Sequence, residues 1–289
     1  MEFSVSTYSY SALVSRGDYT QFQLAELAKD MGFDGIEFTD LSVPDGMTKL
    51  DYAASLRAEC ARVGITPVNY TIGADFLYGS DGDIDREIER LRGEVDVAAV
   101  LGVSGMRHDA TGGWRGEEKH RGFDEALVRI IQGCREVTRY AKAKGIRTMM
   151  ENHGFFCQES LRVERIVNGV GNENFGILLD MGNFLCADEA PEKAFGRLLP
   201  YVFHVHAKDF IFKSGDGAAP VGGFFGTRGG NYLRGTVIGH GIVPVTQCMR
   251  LLKNAGYNGF VSVEFEGVED AQTGIGWGLE FLKNTYKTL

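Results

Sequence analysis

The sequence predicts an α/β chain that closes as a single parallel barrel of eight β/α units. Three observations predict it. Short β-like runs alternate with longer helical patterns from one end of the 289 residues to the other. The helix-to-strand junctions repeat chemically: MGFDGIEF (31–38) and AGYNGFVSV (255–263) are nearly the same, and ARVGITP (61–67), AKAKGIRT (141–148) and NENFGILL (172–179) echo them. No shift in composition marks a domain boundary between residues 1 and 289. Alternating segments joined by such short turns build a parallel sheet covered by helices, and eight units closing on themselves give a (β/α)8 barrel. A doubly wound open sheet is the alternative. The first strand lacks a following G-x-G-x-x-G, which weakens the nucleotide-binding version of it.

The strands begin near residues 3 (FSVSTYS), 35 (GIEFT), 65 (ITPVNY), 104 (SGMRHD), 146 (IRTMMEN), 175 (FGILLDMG), 202 (VFHVHAK) and 260 (FVSVEFE). A first helix spans Gln21 to Met31, with Thr20 as its N-cap. Further helices lie near 50–63, 84–100, 121–144, 159–169, 191–199 and 245–254, and a last one runs to the C-terminus. At each repeated junction a glycine can take the left-handed cap geometry before an apolar strand starts. Residues 210–241 break the rhythm, with ten glycines between the seventh strand and its helix, which Pro244 would open. A long Gly-rich loop in a compact domain is a functional lid or a disordered segment. Phe210, Phe212, Phe224, Phe225 and Tyr232 favour a packed lid.

Hydrophobic residues make up 44% and charged residues 24%, which excludes a disordered chain. No stretch approaches the ~18 apolar residues of a membrane span. Residue 1 leads into no basic or long apolar leader, so the expected compartment is the cytoplasm. A net charge of −9 argues against a nucleic-acid or anionic-membrane partner. Five scattered cysteines without C-x-x-C read as reduced thiols, most of them buried. Cys157 and Cys186, just past the fifth and sixth strands, read as inert, since the sequence places no base beside them.

In a barrel of this kind catalytic groups stand at the C-terminal ends of the strands. There the fifth strand carries Glu151, Asn152 and His153, and the sixth Asp180 and Asn183. The seventh carries His204, His206, Lys208 and Asp209, and the eighth Glu264 and Glu266. Four successive strands therefore bring Glu151, Asp180, His206 and Glu264 to one rim. Any one of them alone reads as a solvated rim residue, a helix cap or a hydrogen-bonded core group. Together, three carboxylates would repel one another without a cation. Carboxylates with an imidazole suit Mn²⁺, Mg²⁺, Co²⁺ or Zn²⁺, and the set is too poor in sulfur for a structural zinc site. Glu37 and His108 extend the expected pocket. The other reading of Glu37 is a salt bridge to a neighbouring Arg or Lys, and His120, in the charged run EEKHR, reads as exposed.

The motifs TMMENHG, LLDMGN, HVHAKD, IGHG and SVEFEG, with GIEF on the second strand, resemble in order those of the xylose isomerase-like TIM barrels. That superfamily includes ketose 3-epimerases, hydroxypyruvate isomerase, inosose dehydratase and endonuclease IV. The resemblance implies one divalent ion, Mn²⁺ first, on Glu151, Asp180, His206 and Glu264, with Glu151 and Glu264 as the acid/base pair. It makes the second histidine of HVHAKD the ligand and leaves His204 deeper in the barrel. It also implies a homo-oligomer, though no segment marks an interface. Two positions depart from the epimerase pattern: Asn183 where a histidine is common, and Lys208-Asp209 where an arginine follows the histidine. They move the pattern toward the inosose dehydratase and uncharacterised sugar isomerase branches. Endonuclease IV, with three zinc ions and a basic DNA face, fits an acidic chain poorly.

The expected function is a metal-dependent sugar or sugar phosphate isomerase or epimerase of carbohydrate metabolism. One glutamate removes a carbon-bound proton and the other returns one, through a metal-stabilised enediolate. An inosose dehydratase-type lyase and a non-catalytic sugar-binding barrel are the alternatives. The expected partner is a small sugar or polyol. His153, Lys208, Arg234 and His240 are expected to contact substrate or protonate a leaving group, with Asn183, Glu37 and His108 also lining its site.

Overall fold

The computed structural model describes residues 1–289. Eight parallel strands close a barrel: β1 (Glu2–Ser6), β2 (Gly35–Thr39), β3 (Thr66–Ile72), β4 (Gly105–His108), β5 (Arg147–Glu151), β6 (Phe175–Asp180), β7 (Val202–Ala207) and β11 (Phe260–Val263). Between β7 and β11 the chain makes β8 (Asp209–Lys213), β9 (Phe225–Gly226) and β10 (Tyr232–Thr236). The barrel closes where β1 pairs with β2 on one side and β11 on the other, Phe3 beside Val261 and Ser4 beside Gly35.

The helices are α1 (Ser11–Ser15), α2 (Leu24–Asp30), α3 (Lys49–Val63), α4 (Ile84–Leu101), α5 (Phe123–Ala143), α6 (Ser160–Val170), α7 (Pro191–Leu198), α8 (Val245–Asn254) and α9 (Ala271–Thr288). They form the outer layer, and one contiguous apolar core runs from Phe3 to Leu282 between them and the sheet. All five cysteines are free and buried in it or beside it. No helix is long and apolar enough to cross a membrane.

Local chemistry explains the element ends. Thr48 and Asp83 accept backbone N–H bonds at the starts of α3 and α4. Gly64, Gly102 and Gly171 end α3, α4 and α6 in the left-handed conformation. The expected glycine in NENFGILL is not a cap. Gly176 lies inside β6, where a Cβ would come 2.7 Å from the Phe203 ring, and Gly171 does the capping. The first long helix is shorter than Gln21 to Met31, because residues 21–23 form a turn. Thr20 and Gln23 hydrogen-bond each other there, ahead of Leu24.

Residues 210–241 are folded rather than loose. Strand β10 pairs antiparallel with both β8 and β9, so the segment is a three-stranded sheet standing on the barrel mouth. Its foot is the buried Asp209 carboxylate, which accepts from the N–H groups of Phe210, Gly239, Gly241 and Val243 at 2.8–3.0 Å. Its tip docks on the turn after β6, where Asp188 accepts from Thr227 Oγ1 and Asn231 Nδ2, both at 2.8 Å. Phe210 and Phe225 pack edge to face between foot and tip.

Candidate metal centre

The four rim residues converge as the strand order dictates. Glu151 and Asp180 end β5 and β6, His206 lies one residue before the end of β7, and Glu264 follows β11 directly. Register pairs Asp180 with His206, and His206 with Ser262, two residues before Glu264. All four side chains are buried, and one ligand atom from each lies within 4.8 Å of every other. From His206 Nδ1, the nearest oxygens of Glu264, Asp180 and Glu151 stand 3.4, 3.8 and 3.9 Å away.

Two of these atoms are buried without any hydrogen-bond partner: His206 Nδ1 and Asp180 Oδ2. A buried polar atom left unpaired costs about 1–3 kcal/mol. Two of them facing each other across a nest of carboxylates is the arrangement a cation resolves. Three oxygens and an imidazole nitrogen suit a hard or borderline divalent ion. The residues present could therefore hold one.

Their neighbours fix them. Asp180 Oδ1 accepts from the N–H groups of Gly182 and Asn183, both at 2.7 Å, which leaves Oδ2 pointing inward. Asn152 ties β5 to β6 through the backbone of Asp180. Glu151 is held on Oε1 by Asn183 Nδ2 at 2.9 Å and on Oε2 by Arg107 at 2.8 Å. Lys208 Nζ lies 2.6 Å from Glu264 Oε2, 3.1 Å from Glu266 and 3.2 Å from Asn183 Oδ1.

Burial and these charges set the protonation. Burial raises the Asp180 carboxyl to about 7, against the pull of Lys208 and with the push of Glu264 and Glu151. Burial would raise Glu264 as well, but Lys208 and His206 hold it well below the usual carboxylate range. Burial would lower His206, yet the Glu37 and Glu264 carboxylates hold it well above an ordinary histidine.

Beneath the cluster lies a second polar layer whose side chains hydrogen-bond one another, Asn69 Oδ1 excepted. His206 Nε2 bonds Glu37 Oε1 at 2.9 Å, and Asn69 donates to Glu37 Oε2 at 3.0 Å. His204 Nε2 meets Ser262 Oγ at 2.8 Å, and Ser262 meets Ser4 at 2.6 Å. Glu37 thus pairs with histidines rather than with an Arg or Lys. It lies under the pocket, and it turns the Nδ1 edge of His206 toward the other three ligand-type side chains.

A cavity of about 250 Å³ opens above the cluster, lined by both glutamates, Arg107, Asp109, His153 and Lys208. Asp180 and His206 close the floor behind them. Of the residues expected to touch substrate, His153 and Lys208 line this cavity. Asn183 is buried and braces Glu151 and Lys208 instead.

Three expected residues lie elsewhere. His108 points out of the barrel wall, fully buried between the Phe76 and Phe175 rings, with Nδ1 on the Asp109 carbonyl. Burial lowers it to about 4. Arg234 sits on β10 with its guanidinium over the Phe224 ring. His240 is exposed on the outer surface beside Trp277.

The sequence reading missed Arg107 and Asp109. Arg107 reaches Glu151 and Asp109 at 2.8 Å each, and Asp109 Oδ1 lies 3.0 Å from His153 Nδ1. Burial works against Asp109, but Arg107 and His153 take it down to about 2. Strand parity was the available signal. Gly105 pairs with Arg147 and Arg107 with Met149, which puts Arg107 on the face of Glu151 and His108 on the other. Burial pushes the Cys186 thiol up to about 12 and raises Cys157 too, as suits inert thiols. His120 is exposed, with its ring on the Glu117 carbonyl.

Comparison with known proteins agrees with this architecture. A family model described as xylose isomerase-like TIM barrel matches residues 25–285. The inosose dehydratase of Serratia proteamaculans is 28% identical over 177 residues, covering 58% of each chain, so the match spans little more than half of that relative. Among solved structures, an L-ribulose 3-epimerase superposes with a TM-score of 0.72 at 16% identity, over 99% of this chain and 95% of its own. A xylose isomerase-like TIM barrel protein from Mycobacterium smegmatis, in complex with magnesium, gives 0.71 at 16% identity, over 99% and 97%.

Proposed function

Because the chain belongs to the xylose isomerase-like TIM barrel family, we propose that it is a divalent-metal-dependent enzyme of sugars or polyols. It moves a carbon-bound proton beside a carbonyl, as an isomerase or epimerase. The observation that carries this reading is the pair of unpartnered buried atoms, His206 Nδ1 and Asp180 Oδ2, enclosed by Glu151 and Glu264. Glu151, Asp180, His206 and Glu264 would hold the ion, with Mn²⁺ the first candidate and Mg²⁺, Co²⁺ and Zn²⁺ behind it. When bound, a divalent ion supplies fixed positive charge where negative charge develops on substrate oxygens.

The chain's own residues do the proton work. Glu151 and Glu264 are the two members of the cluster that line the cavity. One takes the proton from carbon and the other gives one back, to the opposite face in an epimerase or the neighbouring carbon in an isomerase. Arg107 and Asn183 clamp Glu151, while Lys208 clamps Glu264, so each carboxylate keeps its place as its charge changes. The sheet of residues 210–241 stands beside the cavity, which none of its residues lines, and as a lid it would fold over the mouth when substrate binds. The substrate is a small molecule, with no nucleic acid or membrane partner, and the chain works in the cytoplasm as a homo-oligomer.

A dehydratase is the second reading. His153 favours it, with Nδ1 on Asp109 and its ring half exposed to the cavity, where it can protonate a departing hydroxyl. The Serratia relative is named for a dehydration. Incubation with Mn²⁺ and a panel of ketoses and inososes in D₂O separates the readings. Deuterium gained at carbon without loss of water supports the isomerase or epimerase, and loss of water supports the lyase. No exchange on any of them leaves a non-catalytic sugar-binding barrel.

A further inference from the structure

The cavity above the cluster has neighbours on both sides. Past Tyr8 and Glu266 it adjoins one of about 600 Å³. There three carboxylates, Glu266, Glu269 and Asp270, stand against one guanidinium, Arg16, and Glu269 Oε2 is buried without a partner. An uncharged ligand does nothing to offset that excess of negative charge. Past Gly73, Asp109 and His153 it adjoins another of about 630 Å³, set between the end of β3, the first turns of α4 and the loop after β4. Those three residues line both spaces, so one trough runs from the candidate metal centre into the larger cavity.

In this second cavity every carboxylate has its own guanidinium. Arg90 lies 2.6 Å from Glu87, Arg115 2.8 Å from Asp75, and Arg107 2.8 Å from Asp109. A phosphate or a carboxylate on the ligand would have to take a guanidinium from its partner. An uncharged polyhydroxy group does not. Arg90 commits Nε and Nη2 to Glu87 and the Gly73 carbonyl, and Arg115 commits Nη2 to Asp75. Nη1 of each still has N–H groups to donate, and His153, with Nδ1 on Asp109, keeps Nε2 unbonded. Between these polar groups the wall is low, because Gly73, Gly79, Gly112 and Gly154 line it and Ala74 is the one hydrophobic residue. Most of the surface it presents is carbon. A sugar ring matches such a wall, with C–H faces for the carbon and hydroxyls for the fixed donors. The catalytic cavity, at about 250 Å³, is smaller than the roughly 300–1,000 Å³ of sites that enclose a drug-sized ligand. It suits one sugar unit, and the trough continues into room for a second.

We propose that the cavity between Gly73, Arg90 and Arg115 is a subsite for a second, uncharged sugar, and that the substrate is a reducing keto-disaccharide. Proton transfer at the metal centre needs a carbonyl beside the exchanged C–H. The ketose unit therefore lies over Glu151 and Glu264 with its carbonyl carbon and both neighbouring carbons free. The second sugar is joined through a more distant hydroxyl and extends past His153 into the larger cavity. Because it is tethered to the first unit, its contacts add affinity without a second loss of translational freedom. The inference deepens the proposed function and rests on it for the carbonyl chemistry, while the subsite itself rests on the trough.

The test is calorimetric titration of the Mn²⁺-loaded protein with lactulose, maltulose and isomaltulose, each a fructose carrying a second sugar on a distant hydroxyl, against fructose and fructose 6-phosphate. At least one keto-disaccharide is expected to bind about tenfold or more tighter than fructose, a gap of about 1.4 kcal/mol. Gly112→Phe fills the larger cavity from a position where a Cβ meets only Arg115 Nη2, 3.9 Å away. Arg115→Ala removes a donor whose side chain is 64% exposed. Neither residue lines the catalytic cavity. Each substitution should shrink the gap while the affinity for fructose and the melting temperature stay near wild type. No gap for any of the three disaccharides, no binding of any of them, or a gap that survives both substitutions overturns the proposal. So does fructose 6-phosphate binding tighter than every disaccharide, which would make the occupant an anion. A protein that prefers a keto-disaccharide but exchanges none of its carbon-bound protons in D₂O keeps the subsite and loses the proposed function. One that exchanges ketose protons without the preference does the reverse.

Discussion

The barrel interior contains two polar layers, and they are built on opposite terms. In the lower one, Ser4, Ser262 and His204 form a chain of hydrogen bonds, and Asn69 and His206 Nε2 satisfy Glu37. In the upper one, a few ångströms nearer the mouth, His206 Nδ1 and Asp180 Oδ2 have no partner although both are buried. His206 belongs to both layers, one nitrogen closed and the other open. The difference teaches where function can sit: in the lower layer the side chains bond one another, Asn69 Oδ1 excepted, whereas in the upper layer an imidazole nitrogen and a carboxylate oxygen face each other unpaired, a donor set that a cation could use.

Four predictions break or sharpen that contrast. The largest effect falls on the upper layer's acid/base pair. Glu264→Gln should lower the rate of solvent deuterium exchange into substrate by about 10²–10⁴-fold, read by NMR. A wild-type rate would remove Glu264 from the chemistry. Next come the two histidines of β7. His206→Asn should abolish stoichiometric binding of Mn²⁺ in a titration, whereas His204→Asn should keep about one ion per chain. The reverse outcome would exchange the roles of the layers.

A third effect lies outside both layers, on the far face of β4. Buried His108 has its pKa lowered from 6.5 to about 4. Below pH 6.5 the unfolded chain binds a proton that the folded chain refuses, so stability is lost as pH falls from about 6.5 to 4. The loss runs at about 1.4 kcal/mol for each pH unit between those two values, a few kcal/mol in all. Urea titrations at pH 7 and 4.5 should show it, and His108→Gln should flatten it. An unchanged slope would place the acid sensitivity in other groups. The smallest effect belongs to the lower layer. Ser262→Ala strands Ser4 Oγ and leaves His204 Nε2 with Glu37 alone, at 3.3 Å, and should cost about 1–3 kcal/mol of unfolding free energy, with metal binding unchanged. A loss of metal instead would mean that the two layers are not independent.

Much of this contrast was legible in the sequence, for physical reasons that also explain the rest. Strand and helix order follows from periodicity and from glycines such as Gly64 and Gly171, which the left-handed caps require. The four candidate ligands follow from the rule that strand ends carry the chemistry. What the reading lacked was orientation. His108 drew attention because of its residue type, while parity with β5 points Arg107 inward. Gly176 looked like a junction glycine but serves a close approach to Phe203. The 210–241 segment resisted reading because its glycines interrupt the alternation that marks β8 and β10. Nothing in the sequence places Arg234 over Phe224 or His240 beside Trp277, since both positions depend on how that sheet folds back. Nor does it single out Asp209, whose four backbone bonds reach residues up to 34 positions away.

The central claim is that the open layer is a site for one divalent ion. Anomalous diffraction from a Mn²⁺-soaked crystal tests it most directly. The account predicts a single strong peak about 2.0–2.3 Å from Glu151, Asp180, His206 Nδ1 and Glu264, by the distances usual for such ligands. No peak there at saturating Mn²⁺, with Lys208 still seated on Glu264, would contradict it.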